Sequence, residues 1–204
     1  MDNEQLKATL DFWDPRDMPH AREMILAKED WNKSTAEMVR LLLNGVTAGG
    51  SALEIGCGVG RLLMPMAHHF KQVIGLDISP NMLALAKQYL DGLSNVNLAP
   101  IENGAFPVAE SSIDFVFSVI VFQHIHYREV IQRYLAETRR VLRTAGIARI
   151  QTHKGEPGAN RFHGYFYRSM EDFAAEFTNV GLEVIEVLEV EEDEWLWVTA
   201  RKRP

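Results

Sequence analysis

The run Leu53-Glu54-Ile55-Gly56-Cys57-Gly58-Val59-Gly60-Arg61 constrains this chain more than any other stretch. An apolar segment ending at Ile55 stops at three glycines spaced by two, and a helix-forming run, Leu62 to His69, follows. That order reads as a strand, a glycine turn and a helix start. Glycine in such a turn lets the backbone approach a ligand closely, because no Cβ intervenes. A helix starting there aims free backbone N–H groups at the same place.

Val73-Ile74-Gly75-Leu76-Asp77 reads as a second short buried strand, ending in a carboxylate. Ser79-Pro80 follows as an N-cap and first-turn pair for a helix over Asn81 to Leu90. In a doubly wound sheet both strands end at one edge. Asp77 then stands beside the glycine turn, placed to accept hydrogen bonds from a ribose.

The rest of the chain continues the alternation. Residues 1 to 50 read as helical, with amphipathic runs at Glu23 to Glu29 and at Ser34 to Asn44, the second capped by Ser34 with Glu37 three positions on. Asp14 to Pro19 reads as a loop, and Gly49-Gly50 leads into a strand over Ala52 to Ile55. Pro65 predicts a kink in the helix from Arg61 to His69. Strands are expected at Gln72 to Asp77, Asn95 to Pro100, Ile113 to Val119 and Gly146 to His153, with loop from Ile101 to Ser112. Val130, Ile131, Tyr134, Leu135, Thr138, Val141 and Leu142 mark one side of a long helix. Ser169 caps a helix to Asn179 that Gly181 ends, and Leu182 to Val190 and Glu194 to Arg201 read as an antiparallel strand pair.

In series, Glu54-x-Gly56-x-Gly58-x-Gly60, Asp77, Phe106-Pro107 through Asp114, and Arg140-Val141-Leu142-Arg143-Thr144-Ala145-Gly146 resemble the class I S-adenosylmethionine-dependent methyltransferases over roughly residues 50 to 202. Thr144 and Ala145 depart from that family's Pro-Gly in the last turn. The resemblance implies an α/β fold: a doubly wound, seven-stranded, mostly parallel sheet of order 3-2-1-4-5-7-6, strand seven antiparallel, with helices on both faces. It also implies one domain over 1–204, a helical cap at 1–50 and a Rossmann-like core at 51–204.

The same resemblance implies a cofactor, S-adenosyl-L-methionine. Glu54 and the backbone of Gly56, Cys57, Gly58 and Gly60 would meet its methionine part, and Asp77 its ribose hydroxyls. Ile78 and Met82 would wall the adenine, although a Met at helical spacing also suits a core. Glu102, with Asn103, stands where relatives carry an Asp that meets the adenine amino group; both also read as solvated loop residues. Ser118 would lie under the cofactor through its backbone. Arg61 and the more distant Arg22 are candidates for the cofactor carboxylate, with a surface position the favoured reading for Arg61.

His124, after the fourth strand, is the candidate catalytic base, since an imidazole can take a proton from an acceptor atom; a buried structural histidine is the alternative. Cys57 is not read as a nucleophile, because no nearby base is signalled and the turn needs a small residue. His124 and His126 lack a third ligand at metal-site spacing, so no metal is expected. Trp13, Trp31, His153 and Tyr165 are candidates to bind substrate, the last from a loop over 154 to 167 that reads as a lid or as a seal on the core edge.

Charge and composition narrow the function. A net charge of −7 without a long basic patch disfavours nucleic acid as a substrate. The Glu183 to Glu194 acids and the Arg139, Arg140 and Arg143 cluster read as solvated surface. No eighteen-residue apolar stretch predicts a membrane span, and the N-terminus does not read as a signal peptide. With Cys57 as the single cysteine, a cytoplasmic setting is expected. The expected reaction is methyl transfer to an O, N or S atom of a small molecule. A non-catalytic cofactor-binding subunit is the alternative. A nicotinamide oxidoreductase is disfavoured, because Arg61 stands where its glycine pattern needs Gly.

Overall fold

The computed structural model describes residues 12–25, 30–155, 167–190 and 195–203. Seven strands form one sheet of order β3-β2-β1-β4-β5-β7-β6. The strands are β1 (Ser51–Ile55), β2 (Gln72–Asp77), β3 (Val96–Pro100), β4 (Ile113–Ser118), β5 (Leu142–His153), β6 (Leu182–Val190) and β7 (Trp195–Lys202). The pairs β1–β2, β2–β3 and β4–β5 are parallel, and β7 runs antiparallel to both β5 and β6. The helices are α1 (Met18–Ile25), α2 (Trp31–Leu43), α3 (Leu63–Met66), α4 (Pro80–Tyr89), α5 (Arg128–Val141) and α6 (Met170–Asn179). The expected strand order and the antiparallel seventh strand are both observed.

The chain divides into two compact units, residues 1–102 and 103–204. In the first, β1 and β2 are buried along nearly their whole length, as the uninterrupted apolar runs of parallel strands require. Leu53, Ile55, Val73, Leu76, Leu63, Met66 and Leu90 are all buried there. Gly75 admits this packing: a Cβ on it would stand 2.4 Å from Leu63 Cδ1 and 2.9 Å from Cys57 Sγ. In the second unit, α5 buries Ile131, Tyr134, Leu135, Thr138 and Val141, the spacing of one helix face. Phe115, Phe117, Phe173 and Phe177 are fully buried, and α6 packs along β6 and β7.

Several expected boundaries move for identifiable reasons. Helix α1 begins at Met18 rather than Glu23, because Asp17 Oδ1 accepts from the His20 N–H; residues 26–29 of the expected run lie outside the described residues. Helix α2 begins at Trp31, capped by Asp30 instead of Ser34: the Asp30 carboxylate accepts from Lys33 N–H at 2.7 Å. The helix expected to run from Arg61 to His69 is only Leu63–Met66, with Pro65 inside its single turn and no long segment to kink. Strand β5 starts at Leu142, directly after α5, instead of at Gly146. Ser169 caps α6 as expected, and Gly181 follows it at φ +81°.

Candidate functional site

In the first unit the glycine turn is tied to the end of β2. Both Gly56 N–H and Cys57 N–H donate to the Leu76 carbonyl, at 2.7 and 2.9 Å. Asp77 then crosses back to the turn: its Oδ2 accepts from Gly58 N–H at 2.8 Å and its Oδ1 from Ser79 N–H at 2.9 Å. The carboxylate is thereby oriented by backbone on two sides, and each oxygen keeps further acceptor capacity. The Ile101 N–H, one residue before Glu102, donates to the Asp77 carbonyl at 2.9 Å.

Three glycines make the turn possible. Gly56, Gly58 and Gly60 hold φ of +71°, +51° and +83°, where an L side chain is strained. A Cβ on Gly60 would stand 2.5 Å from Leu90 Cδ1. Because α3 is one short turn, the site rests on this glycine turn and not on the helix start that the sequence pattern suggests.

Glu54 is the most unusual group. It is 3% exposed, and its Oε2 is buried with no hydrogen-bond partner among the described residues. Burial pushes its carboxyl well above the usual range, opposed by the Arg61 guanidinium and reinforced by the Asp77 charge. Burial also raises Asp77, and the Ser79, Gly58 and Ile78 backbone hydrogen bonds pull it back. Cys57 is buried with its thiol pushed up by burial and by the Asp77 and Glu54 charges, which keeps it protonated. That agrees with a packing role and not with a nucleophile.

Arg61 corrects its expected surface position. It is 5% exposed, its Nη1 donates to Thr35 Oγ1 at 3.4 Å, and its guanidinium lies 5.8 Å from the Trp31 ring centre. Arg22 stacks on the same ring at 5.0 Å. Trp31 thus meets two guanidiniums and packs against the Ala21, Val59 and Met82 cluster. Met82 is 3% exposed and belongs to that core, with its sulfur 3.9 Å from where a Gly58 Cβ would be. Ile78 is half-buried, and Glu102 is exposed. Trp13 sits edge-on to Phe12, ring centres 5.0 Å apart.

In the second unit, Asn103 is exposed in a left-handed turn at φ +53°, held by Arg133 Nη1 donating to its carbonyl at 2.7 Å. Ser118 is fully buried at the end of β4. Ile120, two residues on, has φ +58°, an outlier for a β-branched residue, and its N–H donates to Gln151 Oε1 at 3.0 Å. His124 is half-buried in a 3₁₀ turn, Phe122–His124. His153 ends β5 with its ring edge-on to Trp195 at 5.0 Å and Nδ1 2.7 Å from the Lys154 carbonyl. Tyr165 lies outside the described residues. Tyr167, at the end of the expected lid, is buried against Phe173, ring centres 4.9 Å apart. Among the described residues no cluster of three or more His, Cys, Asp or Glu has the placement of a metal site.

The structure thus brings Glu54, Gly56, Cys57, Gly58, Gly60, Asp77 and Met82 together in the first unit. The sequence reading missed Asp14. Its carboxylate accepts from Ser79 Oγ at 2.5 Å, from Asn81 N–H at 3.2 Å and from Asn81 Nδ2 at 2.9 Å. Nothing local signals a contact spanning sixty-five positions.

Residues 53–150 match the family model described as a methyltransferase domain. In this match and in its strand order the chain resembles the class I S-adenosylmethionine-dependent methyltransferases. It is 30% identical over 116 residues to a demethylmenaquinone methyltransferase of Tropheryma whipplei (strain Twist), which covers 57% of this chain and 45% of that protein. The chain thus spans about half the length of that curated relative. Among solved structures, an S-adenosylmethionine-dependent methyltransferase of Clostridium acetobutylicum superposes with TM-score 0.72 at 13% identity, covering 90% of this chain and 96% of that one. The [4+2]-cyclase SpnF superposes with TM-score 0.70 at 17% identity, covering 86% and 83%. At such identities these two likenesses speak for the fold alone. No helix among the described residues is long and apolar enough to cross a membrane.

Proposed function

We propose that this chain binds S-adenosyl-L-methionine on the Gly56–Gly60 turn and moves its methyl group to an O, N or S atom of a small molecule. One observation carries the reading: Glu54 Oε2 is buried without a partner beside a glycine turn that Asp77 fixes. A buried carboxylate oxygen without a donor is costly unless a ligand supplies one. An amino acid's ammonium is such a donor, and two ribose hydroxyls suit the remaining acceptor capacity of Asp77.

In this reading Glu54 holds the ammonium, and the backbone of Gly56, Cys57, Gly58 and Gly60 lies along the methionine part. Ile78 and Met82 wall the adenine, while Glu102 and Asn103 accept from its amino group. Ser118 contributes backbone. The bound cofactor supplies an electrophilic methyl group, so the difficult chemistry is its own. The chain's residues orient the acceptor and exclude water. Trp13, Trp31, His153 and Tyr165 are the side chains proposed to meet the acceptor. His124 is proposed to take a proton from an acceptor that arrives protonated. The whole chain, 1–204, is read as one catalytic domain with residues 1–50 as its cap. Its setting is taken to be the cytoplasm, and its net charge argues against nucleic acid as acceptor.

Fold does not fix function, so one second reading stands beside it: a cofactor-binding protein on this fold that does not transfer methyl groups. Calorimetry separates the cases. S-adenosylmethionine and S-adenosylhomocysteine are titrated into wild type and Asp77→Ala, beside NAD. Wild type is expected to bind both adenosyl compounds and not NAD, and Asp77→Ala to lose about 100-fold in affinity, the loss of two charge-assisted hydrogen bonds. A folded wild type that binds neither adenosyl compound overturns the reading. Binding with no methylated product across oxygen, nitrogen and sulfur acceptors moves it to the second.

A further inference from the structure

Residues 14–25 form a segment whose two ends bear on the two halves of the candidate site. At one end, the Asp14 carboxylate takes three hydrogen bonds, from Ser79 Oγ, Asn81 N–H and Asn81 Nδ2. Ser79 is the same residue whose N–H fixes Asp77 Oδ1 and whose Oγ caps α4 through Met82 N–H at 3.0 Å. At the other end, Ile25 Cδ1 lies 3.1 Å from the position a Cβ on Gly58 would take. Ile25 therefore lies close over that face of Gly58, and a ligand passes to the turn only while the segment is lifted.

The segment is held unevenly. Of its residues only Pro15 and Ala21 are buried, the rest being half-buried or exposed. Met18, Met24 and Ile25 are partly buried against Ala21, Val59 and Met82. Segments with few buried contacts open at the low end of the local stability range. Among the described residues, the segment is attached by the three hydrogen bonds at Asp14, strengthened by the carboxylate charge, and by the Arg22 guanidinium 5.0 Å from the Trp31 ring centre and 5.9 Å from that of Tyr89.

We infer that Asp14 is a positioning residue that latches residues 14–25 over the glycine turn, and so sets how fast the adenosyl cofactor enters and leaves. The inference rests on the proposed cofactor site. The latch closes the segment whether or not ligand is present. Weakening it raises the open fraction in both states, so entry and exit accelerate together and affinity is nearly unchanged. A residue that merely supported Asp77, or touched the ligand itself, would change exit and affinity and leave entry alone.

The test measures association and dissociation of S-adenosylhomocysteine by stopped-flow fluorescence, affinity by calorimetry, and amide exchange over residues 18–25. Wild type is compared with Asp14→Ala and with Asn81→Ala. The second variant removes one of the three contacts and leaves the Ser79 cap and the Ser79–Asp77 bond in place, which keeps the question answerable if Asp14→Ala folds poorly. Both rate constants are expected to rise about tenfold in Asp14→Ala and less in Asn81→Ala, with affinity within about threefold and faster amide exchange. Faster dissociation with unchanged association, or unchanged rates in both variants, overturns the latch while the cofactor site stands. A folded wild type that does not bind S-adenosylhomocysteine overturns the site and the latch with it.

Discussion

The two units treat their carboxylates in opposite ways. In residues 103–204 several acids are paired with arginines. Arg140 hydrogen-bonds Glu137 and holds its carboxyl below the usual range, and Arg201 does the same for Glu183. Glu176, fully buried on α6, meets Arg128 at 2.5 Å and Gln132 at 3.1 Å. Glu186 joins Arg149 and Thr199 across three strands. In residues 1–102 the two buried acids of the site are pushed up, Glu54 leaving one oxygen unpartnered. A chain that can satisfy Glu176 on every side can satisfy Glu54 too. That it does not marks the first unit as the place where a ligand completes the structure, the pattern expected of a binding site and not of a fold determinant.

The comparison predicts that removing an acid has opposite signs in the two units. Glu176→Ala carries the larger effect. It leaves Gln132 and the partly exposed Arg128 without their acceptor and opens space between α5 and α6, for a loss of about 2–3 kcal/mol. For a chain of this size that is a fall in melting temperature of about 4–10 °C. A melting temperature unchanged by Glu176→Ala would break the claim that this unit's acids stabilise it.

Glu54→Gln is expected to do the reverse. A carboxyl whose folded pKa is raised lends its full stability below its unfolded pKa and loses it as pH rises through the folded value. Wild type and Glu54→Gln therefore melt alike at acidic pH, and the variant melts higher, by about 2–4 °C, once pH has passed the raised value. The same change removes the charged partner proposed for an ammonium, so S-adenosylhomocysteine affinity falls about 10- to 100-fold. Asp77 adds a pH dependence of its own. Its carboxylate must be ionised to accept on all sides, so affinity declines as pH falls through its raised pKa. Calorimetry from acidic to neutral pH checks both signs. A Glu54→Gln protein that is destabilised at neutral pH would show Glu54 to be a structural acid like Glu176.

The two units also differ in how far the sequence reveals them. The Gly56, Gly58 and Gly60 spacing, Asp77 and the Ser79-Pro80 start were readable because each is a local demand: a positive φ, a strand end, a cap. The strand order came from the family resemblance that those motifs carry in series. Asp14 and Arg61 were not readable. Asp14 acts sixty-five positions away on Ser79, and burial of Arg61 depends on Thr35 and Trp31 of α2. Asp30 and Ser34 are both good caps, and only tertiary packing chose the first. In the second unit nothing in Val119-Ile120-Val121 signals that Ile120 is left-handed, since the Gln151 hydrogen bond that accompanies it comes from the next strand.

The smallest expected effect separates strain from the site. Ala145 sits at φ +64° on an exposed turn within β5, where the resemblance to the family leads one to expect glycine. A left-handed L residue costs about 1–2 kcal/mol relative to glycine, while glycine costs about 0.5–1 kcal/mol in unfolded-state entropy. Ala145→Gly therefore stabilises by about 0.5–1 kcal/mol, a rise of about 1–4 °C by calorimetry. S-adenosylhomocysteine affinity is expected to stay unchanged, because the residue touches none of the groups around Glu54 and Asp77. Glu54→Gln and Ala145→Gly would then both raise the melting temperature, yet only the first would weaken binding. Stability gained at Glu54 would be that of an acid held for a ligand, and stability gained at Ala145 that of a turn which never had one.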